Sequence, residues 1–143
     1  MLFRSKADFL DAHNRHWKDA ELLFNAKRWA NADHLYGLAV ECGLKQLMVA
    51  LGMSVDSTTG SPIDQKHLFH ADRAWTCFES YCSGHHNGAG YKLPQKDPFF
   101  DWKISQRYAH QNKFSQKNVE PHRQGAEVVY QLIQKAKIGG LIS

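Results

Sequence analysis

The stretch from Ala30 to Leu51 constrains this chain more than any other. Leu35, Tyr36, Leu38, Ala39, Val40, Cys42, Leu44, Leu47, Met48, Val49 and Leu51 would cover most of a helix's circumference. Only a narrow stripe through His34, Glu41 and Lys45 stays polar. A helix apolar on nearly every side must be enclosed by several others. The spacing therefore predicts a central helix, stopped at Gly52. The 43% hydrophobic fraction supplies apolar faces for its neighbours and excludes wholesale disorder.

Those neighbours are readable from the same periodicity. Phe9, Trp17, Ala20, Leu23 and Phe24 predict a first helix from about Ser5 to Asn25. A polar loop over Ser54 to Gly60 leads to Ser61-Pro62-Ile63-Asp64, where a cap and a first-position proline predict a third helix. Its apolar side would be Leu68, Ala71, Trp75, Phe78 and Cys82. A surface loop is expected from Ser83 to Lys96. Asp97-Pro98 then opens a shorter fourth helix carrying Phe100, Ile104 and Tyr108 at i, i+4, i+8. The last helix, about Val119 to Lys137, would turn Ala126, Val129, Tyr130, Ile133 and Ala136 inward and hold Pro121 in its first turn. No segment alternates as a half-buried strand would. The expectation is one all-α domain over residues 1–143, an antiparallel four-helix bundle with a fifth shorter helix. The central and last helices are too long for a helix-turn-helix DNA reader.

Several function classes fall away. No run of apolar residues is long enough to span a membrane, and no basic start precedes an apolar leader. Three cysteines, an odd number, fit a reducing cytoplasm better than a disulfide scaffold. The charge of +4, from 18 Lys+Arg against 14 Asp+Glu, is compatible with an RNA or DNA partner and equally with solubility. There is no phosphate-binding P-loop and no GxSxG elbow.

Three groups of residues carry candidate chemistry. His67, His70, Cys77, Cys82, His85 and His86 are ligand types zinc accepts, but their spacing fits no zinc motif, so neither a metal nor another cofactor is expected. Whether they converge is left to the fold. Cys42 lies in the most apolar segment, where thiols are inert. Glu41 and Lys45 are an i, i+4 pair which, with His34, either orients the bundle or lines a cleft. Arg107, Tyr108 and His110 form the third group. An arginine that holds a phosphate beside an acid/base histidine is the minimum for metal-independent RNA cleavage.

These elements resemble the HEPN family of small helical bundles. The resemblance rests on Trp17-Lys18-Asp19-Ala20-Glu21-Leu22-Leu23, on Ala32, Tyr36, Ala39, Val40, Glu41 and Leu44-Lys45, on Lys66-His67, and on Arg107-Tyr108 followed by Ala126. It implies a homodimer, a minimal nucleotidyltransferase as partner in toxin–antitoxin or related modules, and, in active members, ribonuclease activity from Arg-x(4–6)-His at the dimer cleft. It also implies that Glu41 and Lys45 form the polar core and that Arg107 and Tyr108 line the cleft. This chain departs from the pattern, because only two residues separate Arg107 from His110. Arg28 and His34 have the family spacing but straddle the start of the central helix, and we read that match as coincidental.

Three functions follow as expectations. The first is a HEPN-like module that binds a nucleotide, RNA or a partner protein without catalysis. The second is a metal-independent endoribonuclease using Arg107 and His110. The third is a purely structural domain, with the His34–Glu41–Lys45 stripe in solvent and no cleft.

Overall fold

The computed structural model describes residues 5–94 and 96–143. Residues 1–4, where a leader would begin, and Gln95 in the expected 83–96 loop lie outside the described residues. Four α-helices form: α1 (Phe9–Asn25), α2 (Trp29–Ala50), α3 (Ala71–Ser83) and α4 (Gln116–Ile138). The architecture is an all-α four-helix bundle, and among the described residues no strand forms beyond one isolated bridge between Val55 and Pro62. No helix among them is long and apolar enough to cross a membrane.

As its pattern requires, α2 is central. Tyr36, Ala39, Val40, Leu44, Leu47 and Met48 are fully enclosed. Trp75 and Phe78 from α3, and Val129 and Ile133 from α4, close around it. Each such large side chain contributes about 1.5–3 kcal/mol by leaving water.

The helix ends follow local chemistry. The Asp8 carboxylate accepts from the Asp11 N–H at 3.0 Å and starts α1. Ser115 and Asn118 cap each other reciprocally at the head of α4. That cap starts α4 earlier than expected and puts Pro121 in the second turn rather than the first.

Helix direction departs from the antiparallel expectation. Only α1 runs against its neighbours: Glu21 meets Arg123, and His13 meets Tyr130. By contrast α2 and α4 run the same way, with Asp33 beside His122 and Gly43 beside Val129. So do α2 and α3, with Glu41 beside His70 and Gly52 beside His85. The connections over 51–70 and 84–115 are long enough to return across the bundle, since an extended chain spans about 3.3 Å per residue.

Two predicted helical segments are corrected. Ser61 to Asp64 does not open a helix. The Asp56 carboxylate accepts from the Thr58 and Thr59 N–H groups, Gly60 takes φ +75°, and Ile63 N–H bonds back to Ser54. This hairpin-like loop keeps Pro62 extended, Asp64 caps only the 3₁₀ turn Gln65–His67, and α3 begins at Ala71. The expected fourth helix is also absent. After Asp97-Pro98 the chain makes the 3₁₀ turns Ile104–Tyr108 and Gln111–Lys113. Phe100 and Tyr108 are 66% and 78% exposed, while Phe99 and Trp102 fill the core. Trp102 packs edge-on into α2 at Gly37 and donates its indole N–H to Asp33 O at 3.0 Å. A side chain at Gly37 would overlap that ring.

Candidate functional site

The polar stripe of α2 is not a solvent-facing strip. Lys45 donates to Glu41 Oε2 at 3.4 Å, and the two side chains are 9% and 14% exposed. The Glu41 carboxylate also pairs with His70 Nδ1 at 3.0 Å. The Lys45 ammonium lies over the rings of Phe9 and Phe69. Glu41 thus ties α2 to the head of α3. His34, two turns before Glu41, is half-buried against Trp102 with rings 6.1 Å apart. Burial, then the positive charge of Arg107, pulls its pKa below the ordinary histidine value. It is neutral at pH 7, and its buried Nδ1 has no hydrogen-bond partner among the described residues.

Arg107 and Tyr108 stay together, while His110 is engaged elsewhere. Tyr108 stands in solvent with the Arg107 guanidinium 4.9 Å from its ring. His110 uses Nδ1 to accept the Asn112 N–H at 3.1 Å, as the cap of a 3₁₀ turn. Arg107 instead lines a pocket of about 340 Å³ with Lys27 and Arg28 from the α1–α2 turn. Asn31, Gln106 and Gln111 add amides, and among the described residues no carboxylate lines it. These three cations make no ion pair with a described residue. Pairs such as Lys103–Asp72 and Arg123–Glu21 occupy cations elsewhere. Lys27 holds φ 62°, a left-handed conformation that lets Arg28 N–H reach Leu23 O at 2.8 Å and ends α1. Arg28 and His34 therefore stand at the same end of the bundle as Arg107, although their spacing in the sequence alone does not require it. Basic side chains plus amide donors, without acidic competition, are the equipment for a phosphate.

The His and Cys cluster disperses. His67, Cys77 and His85 line a cleft along α3, His70 is turned to Glu41, and Cys82 is buried. Among the described residues no three His, Cys, Asp or Glu side chains are placed to hold a metal. Burial raises the Cys42 thiol to about 12 and Cys82 to about 11.

Two further polar groups went unnoticed in the sequence. His122 donates from Nδ1 to Asp33 Oδ1 at 2.5 Å and from Nε2 to Asp101 Oδ1 at 2.8 Å. Burial opposes its charged form, but the two carboxylates outweigh that and raise its pKa. Arg123 grips Glu21 with Nε and Nη2 at 3.0 and 3.1 Å, and Tyr36 donates to the same carboxylate at 2.9 Å. Their partners lie 89 and 102 residues away, so no local spacing could reveal them. Both groups are saturated within the fold and clamp helices together.

No known protein family matches this chain, no curated protein is found to be similar to it, and no solved structure matches its fold.

Proposed function

We propose that this protein is a HEPN-like binding module that holds the phosphate backbone of RNA in the pocket between Lys27, Arg28 and Arg107, without cleaving it. The observation that carries the reading is three uncompensated cations and three side-chain amides around one acid-free concavity. Phosphate contacts of this kind supply affinity with little sequence preference. The absence of catalysis rests on His110, whose Nδ1 is committed to a backbone N–H and which does not line the pocket. A purely structural domain would leave the α2 stripe in solvent, yet Glu41 and Lys45 are enclosed. A second copy of this chain and a minimal nucleotidyltransferase are proposed as partners on the resemblance alone.

The test is fluorescence anisotropy of a labelled single-stranded RNA in EDTA, with the RNA recovered afterwards for length analysis. Arg28→Gln and Arg107→Gln should each weaken binding several-fold and leave the RNA intact. Unchanged affinity in both variants sinks the pocket. Shortened RNA that depends on Arg107 and His110 would establish the endoribonuclease instead.

A further inference from the structure

A larger concavity of about 720 Å³ runs along α3, away from the basic pocket. That volume suits a small-molecule ligand, for which about 300–1,000 Å³ is usual. One wall is aromatic. His67 stands edge-on to Tyr81 with centroids 5.5 Å apart, and Tyr81 stacks on His85 at 4.4 Å. Nδ1 of His67 is buried without a hydrogen-bond partner among the described residues. A buried polar atom left without a bond is destabilising, so the site is built with a polar group unanswered.

The rest of the same α3 face is cationic and hydroxylic, with the Asp72 carboxylate also on the lining. Arg73 is exposed on α3 and makes no ion pair with a described residue, whereas its neighbour Asp72 is taken by Lys103 at 3.2 Å. Lys66 meets only Asp64, at 3.4 Å with both side chains mostly in solvent, which is a weak pair. Thr76 and Ser80 follow Arg73 at helical spacing and put hydroxyls on the same wall. Cys77 does not act as a nucleophile here. Burial raises its pKa, and its Sγ–H donates to Lys66 O at 3.6 Å.

We propose that this cleft binds a small anion bearing a planar heteroaromatic ring, the chemistry of a mononucleotide. The ring lies against the imidazole–phenol wall, and its polar edge supplies the partner that His67 Nδ1 lacks. The phosphate sits at Arg73 with the Thr76 and Ser80 hydroxyls. The site is separate from the RNA pocket, so the two readings fail independently.

The experiment is isothermal titration calorimetry with AMP, adenosine and inorganic phosphate as separate probes of the intact chain. AMP should bind one to one, with adenosine and phosphate each at least tenfold weaker. Arg73→Gln should weaken AMP at least tenfold while leaving RNA affinity unchanged. Arg107→Gln should show the reverse. Arg73 is exposed, so its replacement does not threaten the fold, and circular dichroism checks this. Tyr81→Phe keeps the aromatic wall and should retain AMP binding. No saturable heat with AMP at millimolar concentration overturns the proposal. So does phosphate binding as tightly as AMP, or AMP affinity that follows Arg107 rather than Arg73.

Discussion

His122 and His13 are both enclosed, yet their surroundings act on them in opposite directions. His13 donates from Nδ1 to Ala39 O at 2.7 Å, and its Nε2 is buried with no partner among the described residues. Burial holds its pKa below 6.5. In the unfolded chain it takes up a proton more readily, so its contribution is complete above pH 6.5 and is lost as pH falls below that. His122, held charged by Asp33 and Asp101, has a raised pKa. Its contribution is complete below pH 6.5 and is lost as pH rises through its folded value. Urea midpoints from pH 5 to 9 should therefore fall on both sides. His122→Asn is expected to flatten the alkaline limb and His13→Asn to shorten the acid one. His122→Ala leaves buried Asp33 without its partner and should cost about 3–5 kcal/mol. Lys27→Gly relieves a left-handed backbone that costs a side-chain-bearing residue about 1 kcal/mol. That variant should unfold later in urea and bind RNA less tightly, separating stability from function at one position.

Between elements, the closest approaches depend on where α2 has no side chain. Gly37 admits the Trp102 ring, and Gly43 admits the His13 ring and Val129. Gly37→Ala would force the Trp102 segment outward and break its bond to Asp33 O, with an expected loss of about 1–3 kcal/mol. Gly90→Ala meets nothing within 4 Å and serves as the control, with little change expected in the unfolding midpoint. Ser115→Ala removes the α4 capping box and should cost about 1 kcal/mol. These elements also show where pattern reading succeeds. The faces of α1, α2 and α4 were legible because long helices repeat their apolar positions often enough to define a side. Phe100, Ile104 and Tyr108 mimicked that repeat over too few turns, while the buried pair was Phe99 and Trp102.

At the scale of the whole molecule, the proposed RNA binding would be linked to salt through the basic end. Three phosphate contacts on a single strand, at roughly 0.7 per phosphate, predict a log–log salt slope of about −2 for RNA affinity. Arg28→Gln or Arg107→Gln should each reduce that slope by roughly 0.7. A slope unmoved by either variant would place the contact elsewhere. The end of the bundle that carries this field is set by the α1–α2 turn and by a return segment with its own 3₁₀ turns.

The sequence alone determined that the chain is helical, that α2 is central, and which residues of the long helices face inward. Those properties come from a repeat of 3.6 residues, which is local and accumulates along each helix. It also carried Glu41–Lys45, because an i, i+4 pair is itself local. Only tertiary structure decided that α2, α3 and α4 run together and that Arg107 joins Lys27 and Arg28 rather than His110. The same holds for His67, Tyr81 and His85 sharing a cleft, and for His122 closing on Asp33. Each of these depends on how long, turn-rich connections return across the bundle, and helical periodicity does not encode that path.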